Sequence, residues 1–311
     1  MTTTTGGALS AMLRTEQRHP DSTELDTMST IEIIQLLGRE DATVAGAVAE
    51  RYEEIASLVD AAAARLAIGG SVHYFGAGTP GRLAVLDAAE LLPTFDLEPG
   101  LVVAHMAGGD GALIHAIENA EDSEADGEAA AAGLGPSDVA IGLSASGSTP
   151  FVRGALRAAQ ANGALTAVVT SNVGSSLGAL ADIVIEVDTG PEVLTGSTRL
   201  KAGTAEKLVL NGFSTALMVR HGRTWSNLMS SVVATNAKLR DRAVRILADA
   251  GDLTLDEARS LLTDCGDELG VAIVCTLSGA DVDRARTALI ASSRSVRDAV
   301  MSLSPSTSTL R

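Results

Sequence analysis

Aromatic side chains are scarce in this chain, with four Phe, two Tyr and one Trp among 311 residues. A core must therefore be built from Ala, Leu, Val and Ile, and the exposed rings on which single-stranded nucleic acids stack are excluded. Positive charge is also short: 23 Lys and Arg face 39 Asp and Glu, for a net charge of −16. Nucleic acid would be repelled, and a small anionic metabolite would need local help from backbone amides or a few basic residues. The only two cysteines, Cys265 and Cys275, lie in Ala/Leu-rich helical surroundings. They are expected as packed free thiols in a reducing cytoplasm rather than as a bridge or metal pair. The five histidines have no metal-ligand spacing, so no metal is expected. No apolar run reaches the length of a membrane span, and MTTTTGGALS lacks the basic region and apolar core of a signal peptide.

What is present is a hydrophobic content of 46%, enough for a packed core, and a repeating alternation of strand and helix signals. Met1 to Gly7 read as a disordered tail, and Thr15 to Thr30 as a polar extended arm. Helical periodicity begins near Ile31, a second helix is expected from Thr43 to Leu66, and Gly69–Gly70 ends it. Strands are expected at Ser71–Phe75, Leu101–Ala104, Val139–Leu143, Leu165–Thr170 and Ile183–Val187, with helices between them, one over Ala112–Glu121. That alternation predicts right-handed crossovers and an α/β doubly wound parallel sheet, with ligands at the carboxyl ends of the strands. After Val187 the pattern turns helical: a long helix within Gly190–Asn211, another over Trp225–Ala250, then short segments past the Gly251–Asp252 break. The resulting division is an arm (1–30), an α/β domain with flanking helices (31–250) and a small helical domain (251–311).

The stretch SVHYFGAGTPGRLAVLDAAELL, from Ser71 to Leu92, organises the rest. A glycine-rich turn between strand and helix aims backbone N–H groups and the positive end of the helix at an anion, most often a phosphate. Glu90 sits two turns down that helix at the spacing of Leu83 and Leu86, where a core-facing carboxylate would need pairing, hydrogen bonds or protonation. Glu121 repeats the spacing with Ile114 and Ile117, although it also opens a solvated acidic run through Asp122, Glu124, Asp126 and Glu128. Glu118 and Asp87 compete in register with the two glutamates. SASGSTP, Ser144 to Pro150, offers four hydroxyls around Gly147, and Thr149–Pro150 also reads as a helix N-cap followed by proline. Arg199 and Lys201 stand out among small and apolar residues, as an anion site or as solvated charge.

GAGTPGRLAVLDAAELLPTF, AIENAEDS, SASGSTPF and above all GPEVLTGSTRLKAGTAEKLVLN resemble the N-acetylmuramic acid 6-phosphate etherases, relatives of the glucokinase regulatory protein with the sugar isomerase (SIS) fold. The resemblance spans nearly the whole chain, including a UBA-like C-terminal helical domain. It implies cleavage of the D-lactyl ether of a phosphosugar, by a cytoplasmic homodimer without metal or organic cofactor, in cell-wall sugar recycling. It assigns Glu90 as proton donor and Glu121 as base, one carboxyl buried and raised, the other ionised. Phosphate is expected on Gly78, Thr79, Gly81, Ser144, Ser146, Gly147, Ser148 and Thr149, with Lys201 nearby. Pro80 stands where the common pattern GTSGR has a serine, and DAAELLPT where relatives often have DASECPPT. A phosphosugar isomerase or a non-catalytic phosphosugar sensor are the alternatives that such a fold allows; release of D-lactate separates them.

Overall fold

The computed structural model of the protein describes residues 13–115, 117–232 and 237–304; the tail expected at Met1–Gly7 lies outside the described residues. The chain divides into two compact units. One runs to Asp87 and resumes from Val102 to Phe213; the other comprises Ala88–Leu101 and the chain from Ser214 onward.

In the first unit, helices α1 (Thr30–Ala49) and α2 (Tyr52–Leu66) precede five strands: β1 (Val72–Gly76), β2 (Val102–Met106), β3 (Val139–Leu143), β4 (Leu165–Thr170) and β5 (Ile183–Glu186). All pair in parallel, in the order β2-β1-β3-β4-β5. The order reverses between β1 and β3, and an open parallel sheet leaves its ligand crevice at such a switch point. Gly76 is in register with both Met106 and Leu143, so the turns that follow these strands emerge at one edge.

Helix α3 (Gly78–Phe95) follows β1, α4 (Glu124–Ala131) precedes β3, and α5 (Pro150–Ala161) precedes β4. The buried stripe of α5 packs Val152, Ala155 and Leu156 against Phe75, Val168 and Leu177, so the core is mainly aliphatic, with a few rings buried in it. Helix α6 (Lys201–Arg220) closes the unit at its N-terminal part.

Three sequence expectations are corrected here. Helix α1, started by the Ser29–Glu32 capping box beside the expected Ile31, runs unbroken through Thr43, whose hydroxyl donates back to Glu40 O at 2.7 Å, and stops at Glu50–Arg51. Ala112–Glu121 is no helix: a short 3₁₀ turn covers Asp110–Leu113, and the next helix waits for the Ser123 cap. The arm is not merely extended, since it folds into three 3₁₀ turns and buries Thr15 and His19.

The second unit is helical. Strands β6 (Thr224–Trp225) and β7 (Leu228–Met229) form a hairpin where a helix was expected, turning at Ser226 with φ 52°. Helices α7 (Ala237–Gly251), α8 (Leu255–Asp264), α9 (Leu269–Ser278), α10 (Val282–Ala291) and α11 (Val296–Leu303) follow. Val244, Leu247, Leu262, Ile273, Leu289 and Val296 share one core, which takes in α7 ahead of the Gly251–Asp252 break. Cys265 and Cys275 are buried free thiols, and burial pushes Cys265 up to about 12. Among the described residues no helix is long and apolar enough to cross a membrane, and no group of three or more His, Cys, Asp or Glu is gathered as a metal site.

Candidate functional site

The turn after β1 owes its shape to glycine. Gly78 takes φ 57° to open α3, and Pro80 falls in the first helical turn, where an N–H would have no partner within the helix. Gly81 is buried, and its N–H goes to Ala77 O at 3.3 Å rather than toward a ligand. A methyl on Gly81 would lie 2.3 Å from Met106 Sδ and 2.6 Å from Gly76 O, so the backbone of the turn packs where a side chain would sit. Gly78 and Thr79 are half-buried and are the accessible residues of the predicted set in this turn.

The turn after β3 is built from hydroxyls. Ser144 Oγ lies 2.8 Å from Thr149 Oγ1 and accepts the Gly147 N–H at 3.1 Å; Ser146 Oγ lies 3.0 Å from Ser148 Oγ. Thr149 occupies the N-cap position of α5 with Pro150 behind it, yet its hydroxyl turns to Ser144 instead of capping the helix. Gly147, with φ 68°, has no room for a methyl, which would fall 2.3 Å from Ser175 Cβ. Ser146, Ser148 and Thr149 are half-buried, whereas Ser144 is fully buried and supports the others from below.

Glu121 lies on irregular backbone, exposed, with its carbonyl accepting the Phe151 N–H of α5 at 3.0 Å. It lines a cavity of about 280 Å³ together with Gly78, Arg82, Met106, Glu118 and Asn119. The fold therefore brings Glu121 and the first glycine turn to one cavity without the helix that sequence spacing suggested. Glu90 is also exposed. The expected burial of its face is overturned: the inward stripe of α3 is Ala84, Asp87, Leu91 and Phe95, and Leu86 is 44% exposed beside Glu90. Asp87 takes the inward carboxylate position, where it accepts the Tyr74 hydroxyl at 3.0 Å.

Lys201 is not a free cation. It is buried, and its Nζ donates to Glu40 Oε2 at 2.7 Å; His19 Nε2 donates to the same oxygen at 3.0 Å. His19 Nδ1 accepts the Asp21 N–H, which leaves the ring proton on Nε2. Burial opposes ionisation of Glu40, but Lys201 and His19 outweigh it and hold the carboxyl below its ordinary value. Of the two basic residues singled out, Arg199 is the exposed one, lining a second cavity of about 280 Å³ with Thr79, Leu83, Thr204 and Lys207.

Several polar groups in the surrounding structure were missed from sequence. Glu192 is buried and accepts the N–H groups of Lys201 and Ala202, capping α6; burial nonetheless raises its carboxyl. Asn172 ties the arm to the second turn, donating to Thr15 Oγ1 at 3.1 Å and to Ala145 O at 2.8 Å. Glu206 is buried in α6 with neither oxygen hydrogen-bonded, and burial lifts it to about 8. His73 Nδ1 and His105 Nε2 lie 2.9 Å apart, and burial, then the His73 neighbour, lowers His105 to about 4. A lone carboxylate in an apolar helical run, as Glu206 is, was the one signal of these that the sequence displayed.

Comparisons with known proteins give the family and agree with the fold. Residues 52–160 match the family described as glucokinase regulatory protein N-terminal SIS domain, and residues 116–210 the SIS domain. An N-acetylmuramic acid 6-phosphate etherase of Thermobifida fusca is 52% identical over 264 residues, 85% of this chain and 87% of the relative. One of Rubrobacter xylanophilus is 51% identical over 286 residues, covering 90% and 94%. A phosphoheptose isomerase structure from Francisella tularensis superposes with TM-score 0.51 at 20% identity, covering 62% of this chain and all of that one (100%), a likeness of fold.

Proposed function

The chain belongs to the N-acetylmuramic acid 6-phosphate etherases, and from that membership we propose how its residues share the work. The reaction is cleavage of the D-lactyl ether of N-acetylmuramic acid 6-phosphate, in recycling of cell-wall sugars. In the open-chain sugar the C2 proton is acidic because it lies alpha to the aldehyde. Glu121 removes it, Glu90 protonates the departing ether oxygen, and lactate leaves from C3. Water then adds to the unsaturated aldehyde at C3, activated by the Glu90 carboxylate that gave up its proton, while Glu121 returns its proton to C2, and N-acetylglucosamine 6-phosphate results. The phosphate rests on Ser146, Ser148 and Thr149, with Ser144 holding their hydroxyls in place and Gly78 and Thr79 beside them.

The observation that supports this reading is the shared cavity of Gly78 and Glu121 next to the switch point of the sheet. Glu90 needs shelter from water to act as an acid at neutral pH. We assign that shelter to a second copy of the chain laid over the exposed face of α3 where Leu86 adjoins Glu90. The enzyme works as this homodimer, in the cytoplasm. Sedimentation equilibrium checks the dimer, and Leu86→Asp should yield monomers.

The activity test is incubation with N-acetylmuramic acid 6-phosphate and enzymatic assay of D-lactate; no lactate above background overturns the function. Glu90→Ala should abolish lactate release while the product phosphosugar still binds. Loss of binding as well would make Glu90 structural.

A further inference from the structure

We propose that Arg82 is the positioning residue for Glu121, an inference that rests on the reading of Glu121 as the base. Arg82 lies in the first turns of α3, one residue past Gly81. Its guanidinium donates twice to backbone carbonyls of the 3₁₀ turn: Nη2 to Ala112 O at 2.7 Å and Nε to Leu113 O at 3.0 Å. Two bonds from one planar fork fix orientation as well as distance.

That grip reaches Glu121 through contact. Gly108, with φ 83°, is the point on which the segment folds back: a methyl there would lie 3.2 Å from both Ala112 Cβ and Ala120 Cβ and 3.0 Å from Ile117 Cβ. Ala112, whose carbonyl Arg82 holds, and Ala120, the neighbour of Glu121, thus pack on the same glycine. Asn119 takes φ 61° and accepts the Asp122 N–H at 3.2 Å, making the tight turn on which Glu121 sits. On the other side the Glu121 carbonyl is pinned by Phe151. No helical hydrogen-bond ladder spans Ile117 to Asp122, so the position of Glu121 depends on these two anchors: Arg82 from the helix after β1, Phe151 from the helix after β3. Arg82 also lines the cavity beside Glu118, Glu121 and Asp122, which leaves direct contact with substrate as the competing role.

The experiment is a double-mutant cycle on the full-length enzyme, reading kcat and KM for D-lactate release. Arg82→Met should lower kcat about 100-fold, the scale of a misplacement near 1 Å, and leave KM within about threefold. Arg82→Lys keeps the charge but not the fork, and should recover part of that loss. In a Glu121→Gln background Arg82→Met should add less than about threefold, because both changes disable the same base. Multiplicative losses in the cycle, a KM rise at constant kcat, or a kcat within twofold of wild type each overturn the proposal. Should Arg82→Met fail to fold, the kcat of Arg82→Lys decides alone, and wild-type activity there overturns it. A wild-type enzyme that releases no lactate would instead refute the function, which keeps the two failures apart.

Discussion

The turns after β1 and β3 end neighbouring strands at the same level of the sheet, yet they follow opposite plans. The first is shaped by a glycine with no room for a side chain, Gly81 against the Gly76 backbone and the Met106 sulfur, with little side chain to offer a ligand. The second is shaped by side chains bonded to one another, with Ser144 at its base and Ser146, Ser148 and Thr149 above. A serine can be lost from the first without loss of form, because its form never depended on a hydroxyl, and a proline fits the first helical turn. In the second, the hydroxyls hold one another in place, and the proposed function has Ser146, Ser148 and Thr149 take the phosphate as well. Phosphate affinity in this chain should therefore be concentrated in the second turn.

The largest test strikes the one feature the turns share, a glycine with no room for a side chain. Gly147→Ala should cost about 4 kcal/mol in denaturant unfolding, from overpacking against Ser175 plus a positive φ. A loss below about 1 kcal/mol would mean that the hydroxyl network gives way and the second turn is softer than the first.

Glu206, in neither turn, is the control for general stability. Its carboxyl is raised from the ordinary 4.5 to about 8 in the fold, so it stays protonated there while the unfolded chain ionises. The destabilisation is absent below about pH 4.5, grows as pH rises, and is complete above about pH 8. Glu206→Gln should thus stabilise by about 2 kcal/mol at pH 8, the linkage gain less the cost of a buried amide, and near pH 4, where only that cost remains, it should destabilise by about 2 kcal/mol. KM should not move, and thermal melts across that range give the sign directly.

Ser144→Ala comes next. Three polar contacts meet at its hydroxyl, and their loss should cost about 1 kcal/mol of stability and raise KM about tenfold. Pro80→Ser should have the smallest effect, lowering KM no more than about threefold and changing stability by less than about 0.5 kcal/mol. An improvement as large as the Ser144→Ala loss would show that the first turn is the principal phosphate holder, reversing the comparison.

Strand positions and the parallel sheet were legible from apolar runs separated by glycine and serine turns, because a doubly covered sheet demands such runs. Glu90 and Glu121 were visible as carboxylates among apolar neighbours, but their helical spacing misled. Leu83, Leu86 and Glu90 do share a face, yet Asp87 takes the inward place beside Tyr74; Ile114, Ile117 and Glu121 share no helix at all. Lys201 looked like a spare cation because Glu40 and His19 are remote in sequence. The arm looked idle because Asn172, its link to the second turn, lies 157 residues from Thr15.

By itself the sequence determined the fold class, the two glycine- and serine-rich turns at the strand ends and the family, since these rest on local periodicity, on the backbone freedom of glycine and on long contiguous motifs. Tertiary structure alone decided which charges are free and which are committed: Arg199 exposed, Lys201 paired, Glu206 stranded, Arg82 holding the loop of Glu121. Pairing energies depend on distances between residues far apart in the chain, and those distances exist only once the sheet and its crossovers have formed.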